Sequence, residues 1–181
     1  SKMMYRWLPV GHNWTKCNLE TDKCPCCGCP DETFEHLLSC PHEALAAVRQ
    51  TAYLAIQRDC REAKIPLNFM TLFLKAIRIV LENAPPGFTY KCDEAKATME
   101  SQQTIGMYHM IVGFLSDKWA ALLVHYNVDS PDTKIETLLN MLWDHICEPI
   151  WATCNDIKHS CKDATSSDVT SRLRDKLLWY L

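Results

Sequence analysis

The stretch from Cys24 to His42, CPCCGCPDETFEHLLSCPH, carries five cysteines and two histidines in nineteen residues. Thiolate sulfur and imidazole nitrogen are the donors that tetrahedral zinc prefers. Two Cys-x-x-Cys pairings are available, Cys24 with Cys27 and Cys26 with Cys29. The residue after each pair separates them. In a zinc knuckle, backbone N–H groups just past a ligand cysteine point at thiolate sulfur and offset its charge. Gly28 follows Cys27 and takes a tight turn without steric penalty. Pro30 follows Cys29 and has no N–H to give. Cys24 and Cys27 are therefore favoured. His36 and Cys40 are four residues apart, which sets both on one face of a short helix. The pattern is then C-x2-C-x8-H-x3-C, a CCHC zinc knuckle. Three sulfurs and one nitrogen close a structural site and leave no position for a substrate. His42 stands as an alternative to His36, and Cys29 to Cys27; Cys17 or His12 could add to the shell. One structural Zn2+ would contribute to folding outright, since apparent affinities of about 10–16 kcal/mol for small zinc modules are large beside a domain's net stability.

Catalytic readings fare worse. PCCGC, Pro25 to Cys29, matches the P-C-x-x-C half of the zinc deaminase signature, whose other half is an upstream H-x-E. The upstream histidine, His12, is followed by Asn13 and Trp14, so no glutamate is placed to shuttle protons. Asp132 and Glu136 in SPDTKIE echo a carboxylate–metal nuclease. A helix N-terminus with Pro131 at its first position and acids in the first turn accounts for them fully. Two-metal chemistry also wants several converging carboxylates. His109, His125, His145 and His159 are scattered, and the sequence fixes no cysteine or carboxylate partner for any of them. Cys147, Cys154 and Cys161 recur every seven residues and read as small buried hydrophobes on one helix face.

These donors need elements to position them. A short helix from about Asp31 to Cys40 is expected, with Asp31 as N-cap and Glu32 and Glu35 in the first turn. Beyond His42 the apolar residues follow a helical period. Leu45, Val48, Ala52 and Ile56 mark one helix; Leu67, Met70, Phe73, Ile77, Val80 and Leu81 mark a second, with Lys75, Arg78 and Glu82 off the stripe. Asn83 to Gly87, NAPPG, ends it. A stretch from Asp93 carries Ile105, Tyr108, Val112, Leu115, Trp119, Leu122 and Tyr126, with Ser116 as an internal N-cap. Gly106 and Gly113 allow close packing there or mark a break. Pro131 opens a further helix with a seam of Ile135, Leu138, Leu142, Ile146, Ile150 and Ile157, which Pro149 should kink or divide. Ser167 caps a last helix holding Val169, Leu173 and Leu177. No stretch alternates with period two. The fold expected is all-α, five to seven helices in a bundle, with a small zinc module at residues 1–42 docked on a helical body at residues 43–181.

Composition sets outer limits. The chain has 181 residues, 48% of them apolar, and a formal net charge of -3, which is not the basic surplus of a free-standing nucleic-acid binder. The opening SKMMYRWLPVGHNW has no apolar run of the kind a secretory signal needs, and no window approaches a membrane span. Eleven cysteines, an odd number with six crowded between Cys17 and Cys40, read as metal-binding in a reducing compartment, nuclear or cytoplasmic. Lys2, Arg6, Lys16 and Lys23 make the first segment mildly basic. Trp7 and Trp14 could stack on bases or pack against the metal site. Arg172, Arg174 and Lys176 read as a solvated helix face.

WLPVGHNW followed by CPCCGCPDETFEHLLSCPH resembles the zinc-binding region found C-terminal to reverse transcriptase domains in non-LTR retroelements. Trp7, Cys24, Cys27, Glu32-Thr33, His36-Leu37-Leu38 and Cys40 occupy the places of that region's tryptophan, CPxC pair, acidic ET, H-L-L and final cysteine. Gln102 to Trp119, Leu138 to Trp151, Asn155 and His159 look like the trailing helical segment of some retroelement-derived reading frames. The resemblance implies a non-catalytic, zinc-stabilised accessory module of a polyprotein, or a domesticated copy, that helps hold RNA or DNA. The polymerase's aspartate pair is absent, so polymerase activity is not implied. The alternative expectation is a zinc-stapled helical domain that binds a protein partner and no nucleic acid. A metal-dependent nuclease is a third.

Overall fold

A computed structural model of the chain describes residues 23–30, 32–85, 87 and 89–160. Among these residues there are eight α-helices and no strand: α1 Phe34–Ser39, α2 Glu43–Glu62, α3 Leu67–Leu81, α4 Asp93–Ile105, α5 Met107–Ile111, α6 Asp117–His125, α7 Pro131–Leu142 and α8 Glu148–Ser160. A π-helical turn, Trp143–Cys147, joins α7 to α8. The all-α expectation is met. The helix expected after Ser167 lies outside the described residues, as do Arg172, Arg174 and Lys176. None of the described helices is long and apolar enough to cross a membrane.

The apolar stripes pack into one continuous core. Ala52 and Ile56 of α2, Phe69, Phe73 and Ile77 of α3, Trp119 of α6, and Leu142 and Ile146 near the π turn are all buried in it. Phe69 and Phe73 both meet the Trp119 ring edge-on at 5.4 Å, a favoured aromatic geometry. Leu37, Leu38 and Cys40 belong to the same core, so α1 is docked on the helical body, against α3 and α8. Two residues of the expected stripes are exposed. Leu67 is 68% exposed and Ile105 is 41% exposed. Each stands at a helix end, where the chain has not yet reached or has already left the buried face.

The stretch after Asp93 makes three helices rather than two. Gly106 has φ +105°, a conformation that favours glycine, and it breaks α4 from α5. Gln102 spans the resulting corner from the inside. It is fully buried. Its Oε1 accepts from the Ser116 N–H at 3.0 Å and the Trp119 Nε1–H at 3.1 Å, and its Nε2 donates to the carbonyls of Gly106 and Phe114. Ser116 caps α6, accepting from the Lys118 N–H at 3.1 Å, as expected. The seam expected to kink or divide at Pro149 is divided beside it, into α7 and α8. The widened turn falls just before the proline and includes His145, whose carbonyl a proline ring four residues on would crowd in a regular helix.

Candidate metal centre

The first residues of the site are placed by a turn. The Cys24 N–H donates to the Cys29 carbonyl at 2.8 Å and the Gly28 N–H to the Cys24 carbonyl at 2.8 Å. Gly28 closes this turn at φ +76°, where a side chain would be strained. The second pair of residues is carried by α1. This helix starts at Phe34, later than expected, because Thr33 rather than Asp31 caps it: the Thr33 hydroxyl accepts from the His36 N–H at 3.1 Å. Asp31 itself lies outside the described residues. The later start takes Glu32 out of the first turn and buries it against Cys154, whose sulfur lies 3.4 Å from Glu32 Oε1. Leu37 and Leu38 anchor α1 in the core while His36 and Cys40 face the turn.

Cys24, Cys27, His36 and Cys40 converge. Their donor atoms all lie within 4.8 Å of one another, so one metal ion could touch all four. Cys24 Sγ and Cys40 Sγ are 3.9 Å apart, and Cys27 Sγ is 3.2 Å from His36 Nε2. Cys24 and Cys40 are buried; Cys27 and His36 are half-buried. The alternatives weighed from spacing fall away on geometry. His42 caps α2, its Nδ1 accepting from the Ala44 N–H at 3.3 Å. Cys29 is exposed and stands outside the group. Cys17 and His12 lie outside the described residues.

The thiols differ in their electrostatic surroundings. Burial pushes the Cys24 thiol up, against the N–H groups of Cys27 and Cys26 that donate to its sulfur. Burial likewise raises Cys40 to about 11, opposed by the His42 N–H. Cys27 is less buried than Cys24 and Cys40: burial raises it, but the Cys29 N–H and neighbouring thiols outweigh that and hold it below its ordinary value. The donor to Cys27 is thus the N–H of Cys29, not that of Gly28, which is committed to the turn. Arg49 of α2 is buried and within electrostatic reach of Cys40, and its Nη1 donates to the Leu38 carbonyl at 3.3 Å. Three thiolates around a divalent ion leave a net negative charge, and a guanidinium in this place offsets it. Arg49 was not foreseen from sequence; an arginine on an otherwise apolar helix stripe is the signal that could have found it.

Of the residues expected to touch nucleic acid, Lys23 is exposed beside Cys24. Lys2, Arg6, Trp7, Trp14 and Lys16 lie outside the described residues. Asp132 and Glu136 are exposed on α7 and join neither of the donor groups found among the described residues. Fold and site together define an all-α protein with a Cys3His group able to hold a metal ion. No protein-family model, curated protein or solved structure matches the chain.

Proposed function

We propose that the chain is a non-catalytic accessory module of a retroelement-like protein, in which a structural Zn2+ staples the N-terminal segment to a helical body and that segment assists binding of RNA or DNA. The observation carrying the zinc assignment is the donor geometry. Tetrahedral zinc with ordinary bond lengths gives edges of about 3.8 Å between sulfurs and about 3.6 Å between sulfur and nitrogen. The 3.9 Å and 3.2 Å separations stand close to those edges, one slightly longer and one shorter. Four protein donors fill the coordination sphere, which supports a structural rather than a catalytic role. Nucleic-acid binding rests on the family resemblance and on the basic and aromatic residues around Lys23, Lys16, Trp14, Trp7, Arg6 and Lys2.

The test has two parts. Native mass spectrometry should find zinc in the wild type and loss of one equivalent in Cys24→Ser, Cys27→Ser, His36→Ala and Cys40→Ser. Fluorescence anisotropy with single-stranded RNA and DNA should then show binding that weakens with salt, with a log–log slope of about -3 if all four basic side chains engage phosphates. A zinc count unchanged in all four variants overturns the staple. Absence of salt-dependent binding overturns the nucleic-acid role and leaves a second reading, a zinc-stapled protein-interaction domain. Glu35 and Glu43, exposed beside the cluster, favour that reading.

A further inference from the structure

We propose that Cys92, Glu94 and His125 bind a second zinc-type divalent cation, in a three-donor site whose fourth coordination position is open to solvent. One donor atom from each residue lies within 4.8 Å of the other two. His125 Nδ1 is 3.4 Å from Glu94 Oε1, where tetrahedral zinc sets nitrogen and oxygen donors about 3.4 Å apart. The residues come from opposite ends of two paired helices. Cys92 is the N-cap of α4, Glu94 stands in its first turn, and His125 is the last residue of α6.

The framework beneath them is fixed independently of any ion. The Thr98 hydroxyl shares its single proton between the Glu94 carbonyl of its own helix at 2.8 Å and the Lys118 carbonyl at 3.2 Å, and Gln102 accepts from the Ser116 N–H further along the same pairing. These contacts set an antiparallel register that carries the N-terminal end of α4 to the C-terminal end of α6. Tyr126 adds an outer contact, its hydroxyl 3.8 Å from Cys92 Sγ, of the kind that orients a metal ligand. Lys91, the neighbouring cation in sequence, is engaged elsewhere, donating to Asn68 Oδ1 at 2.9 Å.

The donor set selects the ion. One sulfur, one imidazole and one carboxylate suit Zn2+ and its borderline relatives and are poor for Mg2+ or Ca2+, which want all-oxygen shells. On binding, the metal–sulfur bond forms as the Cys92 thiol proton leaves to solvent. The side chains of Glu94 and His125 are 51% and 39% exposed, so water completes the shell and the ion exchanges readily. This site does not depend on the cluster at Cys24 to Cys40.

Native mass spectrometry of the full chain with excess Zn2+ tests it. The wild type should carry one more zinc than Cys92→Ser and than His125→Ala, while Cys40→Ser still responds to these changes by losing a further equivalent. Cobalt substitution gives a second readout: Cys92→Ser should lose absorption corresponding to one thiolate–metal bond. Both variants alter partly or fully exposed positions, and circular dichroism should show their helices intact. Equal zinc counts in the wild type and both variants overturn the proposal. So does a loss seen in Cys92→Ser alone, because the histidine would then be no ligand.

Discussion

Cys24, Cys27, His36 and Cys40 lie within a single stretch of seventeen residues, whereas Cys92, Glu94 and His125 meet only through the pairing of α4 with α6. The first group is built by a turn and one short helix, with two donors buried in the core. The second sits on the surface, and the register between two helices decides whether it exists at all. A local cluster can nucleate structure when its ion binds, because the unfolded chain already holds the donors close. A cluster made by tertiary packing can only report on structure that has formed. The two should therefore differ in how much stability their ions supply, and that difference can be broken or sharpened by experiment.

The largest effect belongs to the local cluster. Cys40 is fully buried and lies in the same core as Leu37 and Leu38. Cys40→Ser, or removal of the ion by a strong chelator, should lower unfolding free energy by several kcal/mol, since structural zinc affinity of about 10–16 kcal/mol is coupled to folding. Cys92→Ser should cost about 1 kcal/mol or less, since its side chain is only partly buried against the core. Urea unfolding followed by circular dichroism, with and without chelator, measures both. Equal midpoints for wild type and Cys40→Ser would remove the distinction between the two clusters.

The next effect tests the framework of the second cluster without touching a donor. Gln102→Leu is close in shape but strips partners from the Ser116 N–H, the Trp119 indole N–H and the carbonyls of Gly106 and Phe114. Buried groups left unpaired in this way should cost about 2–4 kcal/mol. The zinc proposed at Cys24 to Cys40 should be retained, while the proposed second equivalent weakens as the α4–α6 register loosens. Unfolding curves and metal counts on the same sample check both halves. A stability loss with both zinc equivalents unaffected would show that the register does not depend on Gln102.

How far the sequence reveals each feature follows from the same contrast. The four donors at Cys24, Cys27, His36 and Cys40 are legible because a turn and a helix impose their spacing locally. Most helices are legible from the apolar period. Others depend on interactions the sequence does not display. Thr33 and Asp31 are both good caps, and the burial of Glu32 against Cys154 accompanies the later helix start. Gly106 could pack or break; the choice goes with Gln102, whose side chain fits the corner that a break creates. Pro149 reads as a kink or a division, and the division is there, but its form, a widened turn just before the proline, is not something the sequence displays. Cys92, Glu94 and His125 are invisible as a group, since no local rule links residues on separate helices.

The smallest effect concerns a contact that joins α2 to the π turn. His145 Nε2 lies 2.6 Å from Asp59 Oδ2, and Arg58 lies 2.8 Å from the other oxygen. Burial alone would raise the Asp59 carboxyl, but hydrogen bonds from His145 and Arg58 outweigh it and hold the group below its ordinary value. A carboxyl lowered by folding adds stability that is present above its unfolded pKa and is lost as pH falls through its folded pKa. Asp59→Asn should thus cost about 0.5–1 kcal/mol at neutral pH, and the curves of variant and wild type should converge as pH falls through the lowered carboxyl pKa. The proposed metal cluster should behave differently in acid. Protons compete with the ion for three thiolates and an imidazole, so its contribution should disappear at higher pH than that of Asp59. Urea unfolding across an acid series separates the two: a cost for Asp59→Asn that does not change with pH would mean that packing, not the carboxylate charge, joins α2 to the turn.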